Sequence, residues 1–264
     1  MPSGWTPGLR STVVPVTDPD DHRLAHWLAM ATGQILLEVR QRFAITPGSI
    51  TELKAAGDQE AHDLIMSELG KARPNDAILS EEGADDLARL DAVRTWIVDP
   101  LDGTREFSEP PRSDWAVHIA LVIDSQPVVG AVALPALGIV LSTAETPLLP
   151  PASVDAPRVI VSRTRRPQAA VDLAAALGAT YIELGSAGAK AMAVVQGQAD
   201  IYAHSGGQYE WDNCAPVAVA RAAGLHCSRL DGSALVYNNA NPYLPDLLIC
   251  RPEWAERSLE ILNA

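Results

Sequence analysis

The chain has 264 residues, is 47% hydrophobic and carries a formal net charge of −13. That is enough for a large core, in one big domain or two lobes, and the acidic balance argues against a nucleic-acid polymer as partner. No stretch reads as a membrane span or a signal peptide, and Cys214, Cys227 and Cys250 lack C-x-x-C spacing, which fits free thiols in a reducing cytoplasm.

In chain order, residues 1–21 are rich in Pro, Ser, Thr and Gly and predict a flexible tail. Leu24, Trp27, Leu28, Ala31, Ile35 and Val39 recur at helical spacing, so 22–39 is a helix. Residues 43–57 read as loop, and a second helix is expected from Asp58 to Leu69. Short apolar runs at 77–80 and 95–98 predict strands, and 115–123, 128–134 and 139–143 predict an antiparallel meander with turns between them. The Pro-rich segment 147–157 is the expected junction between a lobe at 22–150 and a lobe at 151–264. Beyond it the rhythm alternates: strands at 159–161, 180–182, 199–203 and 247–250, helices at 167–177, 186–196, 212–223 and 254–262. The fold class is therefore α/β, an antiparallel sheet lobe joined to a mixed α/β lobe.

Chemistry concentrates at Asp99-Pro100-Leu101-Asp102-Gly103-Thr104. A buried strand ends there in two carboxylates, backbone carbonyls and a hydroxyl within one turn, a costly cluster unless a cation joins it. Asp58, Glu81 and Asp212 also stand where structure should pass from buried to exposed, and hard divalent cations want such oxygen ligands. Taken singly, Asp58 and Asp212 read equally well as helix N-caps, and Glu81-Glu82 as a solvated loop. Ser186 is an expected N-cap too, and the small residues of Gly185-Ser186-Ala187-Gly188-Ala189-Lys190 would let backbone approach a ligand. The competing reading there is a close helix contact with Lys190 solvated.

The run Asp99-Pro-Leu-Asp-Gly-Thr104, with Glu81-Glu82 before it and Trp211-Asp212 after it, resembles the signature of the lithium-sensitive, inositol monophosphatase-like phosphatase superfamily. Within it, Gly185–Lys190 and Trp211–Pro216 are similar to the bacterial CysQ type of 3′(2′),5′-bisphosphate nucleotidase. The resemblance implies an α/β/α/β/α layered fold. It implies a phosphomonoesterase acting on 3′-phosphoadenosine 5′-phosphate, and on 3′-phosphoadenylyl sulfate, in sulfur metabolism, by in-line attack of water without a phosphoenzyme. It implies two or three Mg²⁺ held by Glu81, Asp99, Asp102, Asp212 and the Leu101 carbonyl, with Mn²⁺ as a substitute and Li⁺ and Ca²⁺ inhibitory. Thr104 with Asp58 would activate the water, Glu81 would hold a second one, and phosphate would lie against Gly103 and Thr104. Ser162, Arg165, Ser186 and Lys190 fall where related nucleotidases contact the nucleotide. A homodimer is left open.

One departure is the short run Leu53-Lys54-Ala-Ala-Gly-Asp58, which lacks the family's usual lead-in to that aspartate. Another is His204, which stands where inositol-selective members tend to have an acidic residue. Inositol-1-phosphatase, fructose-1,6-bisphosphatase and a non-catalytic metal-dependent nucleotide binder are the alternatives. A covalent aspartyl phosphatase is disfavoured, because Pro100 occupies the position of its nucleophile, and no D-x-D-x-D-G calcium loop exists.

Overall fold

The computed structural model describes residues 21–46, 48–151 and 156–264. The expected tail, apart from Asp21, and part of the expected junction lie outside these.

Two long helices open the fold, α1 (Asp21–Ile45) and α2 (Ile50–Ala72). The second begins eight residues before the expected Asp58, so the predicted loop at 43–57 is largely helix. The reason is a capping box: Ser49 Oγ accepts from the Glu52 N–H at 3.1 Å, and Glu52 Oε2 accepts from the Ser49 N–H at 2.7 Å. Asp58 is therefore inside a helix and is not an N-cap.

The first sheet follows: β1 (Ala77–Ser80), β2 (Arg94–Asp102), β3 (Ala116–Ile123), β4 (Gln126–Leu134) and β5 (Ile139–Ser142), in that spatial order. β1 runs parallel to β2, and the rest form the expected antiparallel meander. A one-turn helix, α3 (Thr104–Phe107), leaves β2 at once.

The second sheet is built from β6 (Arg158–Ser162), β7 (Thr180–Leu184), β8 (Ile201–Tyr209), β9 (His226–Ser228) and β10 (Tyr243–Cys250), ordered β7-β6-β8-β10-β9. Its helices are α4 (Gln168–Leu177), α5 (Ala187–Val195), α6 (Glu210–Ala222) and α7 (Pro252–Leu262).

Side-chain alternation along the strands sorts these elements into five layers. Trp96 and Val98 of β2, with Val117 and Ile119 of β3, pack on α1 and α2. Ile97, Ala116 and Ala120 face the other way and share a core with Met192 of α5, Val217 of α6, and Tyr202, Leu247 and Ile249 of the second sheet. Val161, Ile201 and Leu248 turn outward onto α4 and α7. The order is α1/α2, first sheet, α5/α6, second sheet, α4/α7, the expected α/β/α/β/α class. The middle helix layer starts its helices beside the end of β2, and this creates the site. All three cysteines are free; Cys214 and Cys250 are buried.

Candidate active site and metal centre

The site begins with a bulge. Asp99 pairs with His118 and Asp102 with Ala116, so β2 advances three residues while β3 advances two. In a regular strand, residues three apart point to opposite faces. The extra residue restores the parity and turns both carboxylates toward the middle layer. Pro100, which has no N–H to donate, sits within this irregularity. Asp99 Oδ1 accepts from the Leu101 N–H at 3.0 Å, and Gly103 then turns the chain at φ 87° into α3. A side chain there would be strained by the backbone and would meet Ser186 Cβ at 2.9 Å.

Other elements bring their acids to the same place. Among the described residues, one oxygen from each of Asp99, Asp102 and Asp212 lies within 4.8 Å of the others. Asp212 is in the first turn of α6 and is not its N-cap, because the helix starts at Glu210; its Oδ2 accepts from the Tyr209 N–H at 2.6 Å. Glu81 follows β1, whose parallel pairing sets the Glu81 N–H 3.3 Å from the Val98 carbonyl. From the rim of the site its carboxylate faces Asp99, outside the 4.8 Å cluster of the three aspartates. Asp58 comes from α2 and faces Thr104, whose hydroxyl donates to the Leu101 carbonyl at 3.2 Å. Lys54, half-buried one turn earlier, faces Asp58. The unusual lead-in thus delivers both residues on one helix face.

Crowded carboxylates resist ionisation here. Burial, then the charges of Glu81, Asp102 and Asp212, raises the Asp99 pKa well above the usual range. Burial and Asp102 push Asp212 up to about 6. Desolvation, together with the charges of Asp212 and Asp102, raises Glu81 to about 7 against the opposing interaction with Asp99. Burial and Glu82 raise Asp58 to about 6, opposed by Thr104 and Lys54. Asp102 is the exception: burial opposes its charge, but His118, Lys190 and the Gly188 N–H hold it down to about 2. An all-oxygen cluster under this repulsion fits a hard divalent cation, which would remove the electrostatic cost of ionising Asp99 and Asp212 together.

Asp102 also explains the small residues of α5. Its Oδ1 and Oδ2 accept from the N–H groups of Ala187 and Gly188 at 3.2 and 2.6 Å, so the helix N-terminus is aimed at this carboxylate. Ser186 is the predicted N-cap, with its Oγ accepting from the Ala189 N–H at 2.8 Å. Lys190 is not solvated. It is 4% exposed, its Nζ donates to the Gly185 and Ser186 carbonyls at 2.5 and 2.8 Å, and burial lowers its pKa to about 8.

A cleft of about 380 Å³ opens beside the acids, between the end of α5 and the second sheet; Ser162, Arg165, Lys190 and His204 line it. Arg165 is exposed, approaches Gly206 and makes no ion pair among the described residues. Ser162 Oγ is 3.1 Å from Thr164 Oγ1. Of the expected nucleotide contacts, Ser186 alone is absent from the cleft wall; it is 2% exposed and occupied by capping.

Sequence reasoning missed His118. It is fully buried, with Nδ1 2.9 Å from the Trp211 carbonyl and Nε2 3.2 Å from Asp102 Oδ2. Burial opposes its charge, but Asp102 raises its pKa overall. The only sequence signal is a polar residue in the otherwise apolar run Ala116–Ile123.

The inositol monophosphatase family model matches residues 22–263, nearly the whole chain. The chain belongs to the inositol monophosphatase family. Among its relatives, the 3′-phosphoadenosine 5′-phosphate phosphatase of Mycobacterium tuberculosis is 50% identical over 232 residues, covering 84% of this chain and 86% of that one. The corresponding phosphatase of Mycobacterium leprae is 46% identical over 256 residues, covering 92% and 93%. The crystal structure of CysQ from Bacteroides thetaiotaomicron, a bacterial member of the family, superposes with a TM-score of 0.75 at 25% identity, over 90% of this chain and 99% of that one. Family membership makes this a metal-dependent phosphatase fold, and the acidic cluster lies at the layer junction where the metal would be held. No helix among the described residues is long and apolar enough to cross a membrane.

Proposed function

We propose that this protein is a Mg²⁺-dependent 3′(2′),5′-bisphosphate nucleotidase that removes the 3′-phosphate of 3′-phosphoadenosine 5′-phosphate to give AMP. The same chemistry would convert 3′-phosphoadenylyl sulfate to adenylyl sulfate, a link to sulfur assimilation. The observation that carries the reading is the convergence of Asp99, Asp102 and Asp212 within 4.8 Å, beside the Thr104–Asp58 pair and next to a cleft with cationic lining. The substrate assignment is supported by the mycobacterial relatives, whose names specify that nucleotide at 46–50% identity.

Glu81, Asp99, Asp102, Asp212 and the Leu101 carbonyl would hold the metal; oxygen donors alone favour Mg²⁺, with Mn²⁺ an acceptable substitute. When bound, the metal lowers the pKa of water and neutralises charge on the phosphoryl group. The chain's own groups do the rest. Thr104 Oγ1 faces Asp58, so once its hydroxyl turns from the Leu101 carbonyl a proton taken through it can be received at the Asp58 carboxylate, whose pKa near 6 suits a base at neutral pH. Glu81, raised to about 7, can hold or return a proton at the rim. Asp102 stays ionised and fixed by two backbone N–H groups. Gly103, with no side chain, lets the turn pack against Ser186, and the phosphate would lie against this turn and Thr104. Arg165, uncommitted to any carboxylate among the described residues, is placed to meet the nucleotide's other phosphate. Lys190, bound to two loop carbonyls, holds the cleft wall in shape.

Inositol-1-phosphate is the competing substrate. His204, 7% exposed and hydrogen-bonded at Nε2 to the Gly207 carbonyl at 3.0 Å, offers no carboxylate to polyol hydroxyls. A panel of 3′-phosphoadenosine 5′-phosphate, inositol 1-phosphate and fructose 1,6-bisphosphate, assayed with purified protein and Mg²⁺ with and without Li⁺, tests the assignment. The bisphosphate nucleotide should give the highest kcat/KM and Li⁺ should suppress it. Preference for either of the other two would overturn the substrate reading.

A further inference from the structure

We infer that His118 is a positioning residue that fixes the spacing of two metal ligands, Asp102 and Asp212, by bridging the elements that carry them. The inference rests on the metal-site reading above. His118 lies on β3, opposite Asp99 in register and facing the middle layer. It is fully buried, and each ring nitrogen meets an acceptor. Nδ1 is 2.9 Å from the carbonyl of Trp211, the residue before Asp212 in the first turn of α6. Nε2 is 3.2 Å from Oδ2 of Asp102, at the end of β2. That second approach is bent from good hydrogen-bond alignment, and Nε2 has no other partner in reach among the described residues. A buried nitrogen is thus aimed at one metal-ligand carboxylate, while its ring partner grips the backbone beside the other.

The neighbouring residue is fitted to this arrangement. A Cβ on Gly188 would overlap His118 Nε2, so only glycine at that position leaves room for the ring. The Gly188 N–H donates to the same Asp102 Oδ2 at 2.6 Å. Three elements, β3, α5 and α6, therefore converge on one side of Asp102. The Ala187 N–H at 3.2 Å engages Oδ1. An apolar residue would fill this buried position at lower desolvation cost, so packing alone does not call for an imidazole. Groups outside the ligand set that orient a ligating carboxylate typically contribute about 10–100-fold in metal affinity.

Two substitutions separate the contacts. In His118→Asn the amide nitrogen can take the place of Nδ1 and keep the bond to Trp211, but nothing reaches Asp102. In His118→Gln the amide can reach Asp102, but the Trp211 contact is lost. Mn²⁺ binding is measured directly by electron paramagnetic resonance titration, at a temperature where circular dichroism shows each protein folded. The wild type should bind Mn²⁺, and both variants should bind about 10–100-fold more weakly. Mg²⁺ half-saturation of phosphate release should rise in parallel, with a smaller change in nucleotide KM at saturating metal. A folded variant of either kind that binds Mn²⁺ within twofold of wild type, whatever its melting temperature, would reduce His118 to a packing residue and overturn the inference. Failure of the wild type itself to bind Mn²⁺ would overturn the metal reading beneath it.

Discussion

Replacing Asp212 by Asn should stabilise the metal-free protein at neutral pH while abolishing most of its stabilisation by Mg²⁺. Asp212 is raised to about 6 by burial and by the charge of Asp102. Relative to an ordinary aspartate that is roughly 2 units, or about 3 kcal/mol at 1.36 kcal/mol per unit. The residue is partly solvent-accessible, and screening reduces the figure to about 1–2 kcal/mol. The sign follows from linkage. A carboxyl whose folded pKa is raised contributes its stability below its unfolded pKa near 4, and that contribution is lost as pH rises through about 6. Asn keeps an acceptor for the Tyr209 N–H and cannot ionise. Urea unfolding in EDTA should therefore show little difference between the proteins near pH 4.5 and an advantage to the variant of about 1–2 kcal/mol at pH 7.5, roughly 2–8 °C in Tm for a chain this long. Adding Mg²⁺ at about 100 times its Kd should raise wild-type stability by about 2.7 kcal/mol, with much less gain for the variant. A variant less stable than wild type in EDTA at pH 7.5, or one with the full Mg²⁺ gain, would refute the claim that Asp212 is a repelled carboxylate awaiting a cation.

Asp58→Asn should lower kcat by about 10²–10⁴ and keep the Mg²⁺-dependent gain in Tm, separating the base from the metal ligands. The wild-type rate should fall as pH drops below about 6, where Asp58 is protonated, and the variant's pH profile should lose that limb. Gly103→Ala forces a side chain onto φ 87° and against Ser186, and should cost about 1–2 kcal/mol in urea unfolding along with activity. Lys190→Met removes the two bonds to the Gly185 and Ser186 carbonyls; nucleotide KM should rise about tenfold, the equivalent of 1.4 kcal/mol, with a smaller change in kcat.

Much of this site can be read from local sequence because its core is local. Asp99, Leu101, Asp102, Gly103 and Thr104 lie within one strand end and turn, and their chemistry is visible as a run of residue types. The layered fold is legible too, since apolar alternation and helical spacing mark most elements. The start of α2 is harder. Its first turns carry few core residues, so hydrophobic periodicity is weak there, and the Ser49–Glu52 capping box decides the boundary. The parity of Asp99 and Asp102 depends on a bulge defined only by pairing with β3. Lys190 reads equally as a cation beside a ligand or as a solvated residue on a short helix; it is buried, with its Nζ over the Tyr202 ring of the second sheet. His118 was beyond reach for the same reason: its partners are 93 residues away at Trp211 and on a neighbouring strand at Asp102. One polar residue in a buried strand has no local signature of what it touches.

The central claim is that a cation caged by the Asp99 cluster drives hydrolysis of a nucleotide 3′-phosphate. Phosphate release from 3′-phosphoadenosine 5′-phosphate by wild type and by Asp99→Asn, both with saturating Mg²⁺, tests it most directly. Asn retains an acceptor for the Leu101 N–H, so the turn should persist while the charge is lost. The account predicts robust release by the wild type, abolished by EDTA, and release at least about 10²-fold slower in the variant, the scale expected when a group that stabilises transition-state charge is removed. Near-normal release by Asp99→Asn would contradict it.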